Sequence, residues 1–74
     1  MKLSELKENE KAKIMRIDFS KRKTDRYAQF GIIEGSELVL VRKAPFNDPI
    51  EIRVKDVYVA IRKSDAGKIW VVKG

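Results

Sequence analysis

The sequence contains neither cysteine nor histidine among its 74 residues. Without cysteine, the chain cannot form a disulfide framework or a thiolate metal site. Without histidine, it lacks a common zinc ligand and the usual general base near neutral pH, and no serine can be activated by an imidazole. Metal binding or acid–base chemistry would therefore depend on carboxylates alone.

Long apolar runs are also missing, since nowhere do ten consecutive apolar residues occur, and no segment predicts a transmembrane helix. The phosphate-binding patterns GxxxxGK[ST] and GxGxxG and the serine elbow are absent too. So short a chain supports one domain, residues 1–74, with a modest core and no deep cleft for catalysis. We expect a soluble cytoplasmic protein that is not an enzyme. Its initial methionine fits a whole protein, although an excised domain would look the same.

The carboxylates nearest the middle of the chain are Glu34, Glu37, Asp48 and Glu51. Their spacing does not match a calcium- or magnesium-binding loop, in which several oxygens converge. Ferrous iron prefers imidazole together with carboxylate, which this chain cannot supply. We therefore predict no metal site and no cofactor.

The segment Gly31–Arg53 contains the clearest structural signals. Gly31 and Gly35 predict two turns, because a residue without Cβ can leave a helix and then enter a strand at low cost. The apolar run Ser36–Val41 is too short for an independent helix and predicts a central strand covered on both faces.

The loop that follows this strand is bracketed by Pro45 and Pro49, which predicts a rigid turn. Asp48 within it is most simply a turn residue that accepts backbone N–H bonds. Ile50–Val54 then alternates apolar and charged residues, as a half-buried antiparallel strand does.

The remaining patterns predict two helical turns, one helix, one hairpin turn and three further strands. They are a helical turn at Leu3–Leu6, a strand at Lys11–Ile17, a helix capped by Ser20 or Thr24 and running to Phe30, a hairpin turn at Lys55–Asp56, a strand at Val57–Arg62, a helical turn capped by Ser64 at Ser64–Gly67, and a last strand at Lys68–Val72. Five short strands must close or nearly close on themselves to bury their apolar faces. The prediction is a mainly β fold, a small barrel of about five antiparallel strands with one short helix.

Individual side chains in these elements also receive predictions. In the first strand, Met15 and Ile17 should share the face opposite Ala12 and Ile14. Trp70, on the last strand, either plugs one end of the barrel or anchors a partner, since tryptophan is enriched at interface hot spots.

The net charge of +6 is concentrated in the segment Lys11–Arg26. Its basic peak consists of Lys21, Arg22, Lys23 and Arg26. These residues form either a solvated helix face or a binding surface. With Tyr27 they could make a stacking and phosphate-binding platform for single-stranded nucleic acid, whereas Tyr27 and Phe30 at helical spacing favour a core pair docked on the sheet.

An ordered set of residues resembles the FeoA family, small proteins of bacterial and archaeal ferrous iron uptake. The set comprises Phe30-Gly31, Gly35, Ala44-Pro45, Asp48-Pro49-Ile50-Glu51-Ile52-Arg53, Ala60, Arg62, Ala66 and Ile69. The resemblance covers nearly the whole chain and implies an SH3-like barrel. The family's usual Pro-Gly turn is replaced here by Glu34-Gly35, which affects turn geometry and not architecture.

The resemblance implies a cytosolic accessory protein that binds ferrous iron transporter B, a membrane GTPase-permease, at the inner face of the membrane. The helix and the proline-bracketed loop are the expected contact elements. The candidate partner-binding residues are Lys21, Arg22, Lys23, Arg26, Tyr27, Pro45, Phe46 and Asp48. Weak pairing of two copies through a strand edge is a further expectation.

Two alternatives stay open at this point. The same domain type resembles the C-terminal SH3-like module of metal-dependent transcriptional repressors. The basic segment would also suit a small nucleic-acid-binding barrel, although nucleic acid is not the partner we expect.

Overall fold

The protein folds into five strands, two short α-helices and two 3₁₀ turns in a computed structural model that describes all residues from Met1 to Gly74. The strands are β1 (Lys11–Ile17), β2 (Glu37–Lys43), β3 (Ile50–Val54), β4 (Val57–Ile61) and β5 (Ile69–Lys73). The helices are α1 (Lys21–Ala28) and α2 (Lys63–Ala66), and the 3₁₀ turns are Leu3–Glu5 and Pro45–Asn47. Neither helix has the length or the apolar run that crossing a lipid bilayer requires.

The strands form one antiparallel sheet in the order β4-β3-β2-β1-β5. The molecule measures 29 × 24 × 23 Å, and the predicted mainly β fold of five antiparallel strands is confirmed. β2 lies in the middle of the order, as predicted for the apolar run at Ser36–Val41. The outer edge of β5 is covered by the N-terminus, because the Val71 N–H donates to the Met1 carbonyl at 2.7 Å.

A bulge in β1 corrects one prediction about side-chain direction. Ile14 pairs with Val71 and Ile17 with Ile69, so β1 has one residue more than β5 over the same distance. The extra residue reverses the alternation, because successive side chains on a strand point to opposite faces. Ile17 therefore packs against the core, while Met15 is 55% exposed, and the two do not share a face.

The core consists of 16 buried apolar residues, most of them at alternate positions of the strands. β3 shows the predicted pattern, with Ile50, Ile52 and Val54 buried. In β2, Leu38 and Leu40 are buried but Val39 and Val41 are only half-buried, so the prediction of two covered faces was wrong. The reason is that the barrel has one core, which only the inner side of each strand faces.

The segment after α1 differs from the prediction. Ser20 caps the helix, its Oγ accepting the Lys23 N–H at 3.3 Å, but the helix ends at Ala28 and not at Phe30. Gly31 then adopts φ 85°, and Gly35 adopts φ 90°. Because the helical spacing stops before Phe30, that ring is 46% exposed and does not dock with Tyr27, while Ile32 is fully buried instead.

The short helix α2 is not capped by Ser64 as predicted. It begins one residue earlier, at Lys63, and the preceding Arg62 makes no side-chain cap. The Lys63 N–H donates instead to Asp48 Oδ1 at 3.1 Å, from the loop between β2 and β3. The cap therefore comes from a distant part of the sequence and ties that loop to the start of α2.

Candidate protein-interaction surface

The exposed basic residues of α1 are Lys21, Arg22 and Arg26. None of them forms an ion pair with an acidic side chain. The Arg26 guanidinium lies 5.7 Å from the centre of the Tyr27 ring, within the range of a cation–π contact. These three side chains are available to a partner, in agreement with the exposed helix face predicted from the sequence.

Lys23 and Tyr27 of the same helix point inwards, towards Asp65 in α2. Lys23 Nζ lies 2.9 Å from Asp65 Oδ1, and the Tyr27 hydroxyl donates to Asp65 Oδ2 at 2.8 Å. The Tyr27 ring stacks on Phe19, with ring centres 5.1 Å apart. We call these four residues the Asp65 cluster; it fastens α1 to α2.

The Asp65 cluster changes the titration of two of its members. Burial alone would raise the pKa of Asp65, but the hydrogen bonds from Lys23 and Tyr27 and the positive charge of Lys23 outweigh it and hold that pKa below its ordinary value. Burial, together with the hydrogen bond to the Asp65 carboxylate, raises the pKa of Tyr27 to about 12. The carboxylate is therefore ionised and the phenol protonated at neutral pH.

This geometry bears on two of the residues that the sequence proposed as partner contacts. Tyr27 is only 8% exposed, and its hydroxyl and one ring face are already occupied within the protein. Its ring is therefore not positioned as a stacking platform for nucleic acid, which requires an exposed aromatic face. Lys23 is likewise engaged with Asp65, so both residues hold the fold together.

The loop between β2 and β3 presents Phe46 to solvent. The Phe46 side chain is 95% exposed, and its backbone has φ 64°, followed by Asn47 with φ 62°. A bulky residue other than glycine is uncommon in this left-handed region, where its Cβ crowds the backbone. An aromatic residue that is both exposed and in an unfavourable backbone conformation gains nothing for the core, which marks it as a candidate contact residue.

Hydrogen bonds on both sides hold this loop in place. The Asn47 N–H donates to the Ala44 carbonyl at 2.8 Å, and the Ala44 N–H donates to the Pro49 carbonyl at 3.0 Å. Pro45 occupies the first position of the 3₁₀ turn, where no amide donor is needed. Asp48 caps α2 as described above. Phe46 is thus carried by a loop anchored to the sheet and to α2.

A concave surface next to this loop was not anticipated from the sequence. It has a volume of about 640 Å³ and no apolar side chain in its lining. Its lining residues are Lys2, Ser4, Asp48, Arg62, Lys63, Ser64, Gly67 and Lys68. We call it the Arg62 cleft. Three of its basic residues lie within seven positions of sequence, but Lys2 is far from them, so no short window of sequence could have shown all four together.

Trp70 does not plug the barrel. It lies on the outer face of β5, half-buried, between the buried side chains of Ile69 and Val71. Its indole N–H donates to Asp18 Oδ2 at 3.0 Å, and the Arg16 guanidinium lies 5.0 Å from the ring centre. The strand alternation turns Trp70 away from the core, and its role as a partner anchor stays a prediction.

The four carboxylates considered as cation ligands do not form a common site. Glu51 Oε1 lies 3.3 Å from Arg42 Nε, and Asp48 caps α2. Glu34 and Glu37 are exposed. No group of three or more acidic side chains is arranged to hold a metal ion.

The fold and these surfaces define a class of protein: a small SH3-like barrel domain with exposed basic and aromatic residues. The model of the FeoA domain matches residues 1–73. The chain therefore belongs to the FeoA family, as the ordered set of residues in its sequence indicated.

Two similar proteins illustrate this relationship. The chain is 35% identical over 71 residues to an Fe(2+) transport protein A/Fe(2+) transporter FeoB fusion protein of Porphyromonas gingivalis; the match covers 96% of this chain and spans 8% of the fusion protein. The solution structure of the FeoA protein from Chlorobium tepidum superposes with a TM-score of 0.90 at 32% identity. That match covers 96% of this chain and 68% of the other.

A manganese-dependent transcriptional repressor contains a similarly folded region. Its structure superposes with a TM-score of 0.85 at 24% identity and covers the whole of this chain but 41% of the repressor. At this level of identity the likeness shows a shared fold and says nothing about function.

Proposed function

We propose that this protein is a cytoplasmic accessory subunit of ferrous iron uptake, which binds the transporter B GTPase-permease and regulates its transport or its nucleotide turnover. The observation that carries the proposal is the fusion protein of Porphyromonas gingivalis, whose name joins transport protein A and the transporter FeoB in one chain. Two activities joined in one polypeptide in one organism often belong to proteins that associate in another. Membership of the FeoA family supports the same link to iron.

The proposal assigns this protein a binding role that needs neither catalysis nor a resident metal or cofactor. The absence of histidine and cysteine supports that view, because ferrous iron prefers imidazole with carboxylate. Iron enters this scheme as the cargo of the transporter. The protein would reach the membrane only through its partner.

Isothermal titration calorimetry tests the partner. The protein is titrated against the isolated cytosolic GTPase region of transporter B from the same organism, and against the whole transporter in detergent. We expect saturable binding to at least one of the two. A parallel titration with a DNA duplex at two salt concentrations tests the nucleic-acid alternative, for which binding should weaken steeply as salt rises.

Heat from the transporter and none from DNA would support the accessory role. Binding to DNA alone would contradict it, and so would silence towards both forms of the transporter. The repressor alternative has no observation in its favour beyond the fold.

A further inference from the structure

The Arg62 cleft places four cationic side chains around one concavity. Lys2, Arg62, Lys63 and Lys68 all line it, and all four are exposed. They come from the N-terminus, the residue between β4 and α2, the start of α2 and the residue before β5. Folding therefore brings together charges that lie up to 66 positions apart in the sequence.

None of these four cations forms an ion pair with an acidic side chain. The ion pairs of the molecule involve Arg16, Lys23, Arg42 and Lys73 as their basic members. The Lys2 ammonium lies 5.6 Å from the centre of the Trp70 ring, in a cation–π contact. The cleft has a single carboxylate, Asp48, and one of its oxygens already accepts the Lys63 N–H.

Four cations with one partly used carboxylate repel one another. No ion pair within the protein compensates for this repulsion. An anionic ligand would relieve the repulsion on binding. The shape and charge of the cleft are therefore better suited to recognition than to stability.

The lining of the cleft indicates which kind of anion it fits. It is a shallow depression, open to solvent, that offers several separate charges to an extended ligand. It contains no aromatic or apolar side chain on which a nucleobase could stack. Separate cations around an open cleft match carboxylates that are spaced along a peptide.

The loop of Phe46 borders this cleft, since Asp48, two residues further on, is part of its lining. Phe46 is 95% exposed and is carried by a loop that hydrogen bonds hold to the sheet and to α2. A partner that extends from the cleft over this loop would contact the exposed ring. Aromatic side chains are enriched among the residues that contribute most to binding energy.

We propose that the Arg62 cleft and Phe46 together form the docking site for an acidic peptide segment, rich in Glu or Asp and carrying an apolar residue, of the protein's partner. This inference rests on the proposed function for the identity of that partner, which is transporter B. Its claim about chemistry is separate: the cleft binds carboxylate-rich peptide in preference to nucleic acid. The contact surface is then this cleft and not the basic face of α1.

The first test compares two double variants with the same change in charge. Arg62→Glu with Lys63→Glu alters the cleft, and Lys21→Glu with Arg22→Glu alters the start of α1. Each double variant replaces two basic residues by two acids and so lowers the net charge from +6 to about +2. Both pairs lie at a helix N-terminus: Lys21 and Arg22 open α1, whereas Arg62 precedes α2 and Lys63 opens it.

Calorimetry against transporter B should show about tenfold or greater weakening for the cleft variant and less than about threefold for the α1 variant. Equal weakening in both would mean a general charge effect and would overturn the inference. Unchanged affinity of the cleft variant would also overturn it, while wild-type binding would leave the proposed function intact. Circular dichroism establishes that both variants are folded.

A second test does not depend on the transporter. Amide chemical shifts of the protein are followed during titration with a synthetic peptide, Glu-Glu-Phe-Glu-Glu-Leu-Glu-Glu, and with its counterpart in which every Glu is Gln. We expect saturable shifts at Lys2, Arg62, Lys63 and Lys68 with the acidic peptide only. Shifts centred on α1, shifts spread over the whole surface, or cleft shifts with single-stranded DNA and none with the peptide would each refute the proposal. If the wild-type protein binds the peptide in this cleft but does not bind transporter B, the site is supported and transporter B is excluded as its partner.

Discussion

The two basic regions of this protein, the helix α1 and the Arg62 cleft, differ in how folding uses their charge. In α1, four basic residues lie within six positions of sequence, and Lys23 is consumed by an internal ion pair with Asp65. In the Arg62 cleft, none of the four cations is paired with an acid. The helix α1 has more basic residues per length of sequence, but the Arg62 cleft has more cations without an acidic partner.

The difference shows that a basic run in a small domain can serve the fold. Tyr27 and Lys23 lie on the side of α1 that faces α2, and their contacts with Asp65 fasten a helix that has few apolar residues of its own. Binding sites, in contrast, often gather residues from several elements around a concave surface. The experiments below separate these two uses of charge, beginning with the largest effect.

Replacing Tyr27 by alanine should cost about 3 kcal/mol of unfolding free energy, because truncation of a buried aromatic ring leaves a cavity and lost contacts. The side chain is 8% exposed and stacks on Phe19. Chemical denaturation in urea provides the measurement. Phe30→Ala is the control, since that ring is 46% exposed, and we expect it to cost less than about 1 kcal/mol.

A loss of similar size in both variants would mean that Tyr27 and Phe30 form the joint core pair expected from their helical spacing. A small loss for Tyr27→Ala would return this residue to the list of free contact residues on α1.

The substitution Asp65→Asn should destabilise the protein by about 2 kcal/mol, because it removes a charge that accepts two hydrogen bonds at the junction of the helices. Lys23 Nζ and the Tyr27 hydroxyl would lose their ionic acceptor. The matched control is Asp25→Asn on the exposed side of α1, which forms no ion pair and should change stability by less than about 0.5 kcal/mol. Equal effects would contradict the assignment of Asp65 as the fastening residue.

The Asp65 cluster should make the stability of the protein depend on pH in both the acid and the alkaline range. The pKa of Asp65 is lowered in the folded protein, so its contribution is present above the ordinary value of 3.8 and is lost as the pH falls below that value. The pKa of Tyr27 is raised from 10.0 to about 12, so its contribution is present below pH 10 and is lost as the pH rises from 10 towards 12.

Thermal melts from pH 2 to pH 12 measure these two limbs. In Asp65→Asn the loss of Tm on the acid side should be smaller than in the wild type, and in Tyr27→Phe the loss on the alkaline side should be smaller. Parallel curves for wild type and variants at either extreme would show that the corresponding group does not titrate as part of the cluster.

Much of the fold could be predicted from local patterns. β1 and β3 were predicted to the residue because apolar alternation and flanking turn residues mark them clearly. The bulge at Met15 could not be, because it exists only relative to the register of β5. The cap of α2 was missed for the same kind of reason, since its acceptor, Asp48, lies 15 positions before Lys63.

The candidate contact surface was predictable only in part. Two prolines in six residues indicated the rigid loop and so brought Phe46 and Asp48 to attention. The cleft beside them requires Lys2 to lie close to Arg62, 60 positions later in the sequence, and only the folded protein brings the two together. The number of basic residues on α1 could be counted in the sequence. The ion pair between Lys23 and Asp65 could not be predicted, because the two residues lie 42 positions apart.

The smallest effect on stability, and the most selective on binding, is expected for Phe46→Gly. Glycine adopts φ 64° without the roughly 1 kcal/mol penalty of an L-residue in the left-handed region, but it also gains freedom in the unfolded chain. These terms nearly cancel, so the free energy of unfolding should change by less than about 0.5 kcal/mol. Affinity for transporter B should fall about tenfold if the partner buries the exposed ring.

Phe30→Ala again supplies the control, because it removes an exposed ring at the end of α1 and not beside the Arg62 cleft. Calorimetry should find its affinity close to that of the wild type. If Phe30→Ala weakens binding and Phe46→Gly does not, the contact surface lies on α1 and the cleft is excluded. If Phe46→Gly loses affinity without losing stability, the unfavourable backbone at Phe46 is explained by binding, since the fold itself gains nothing from that ring.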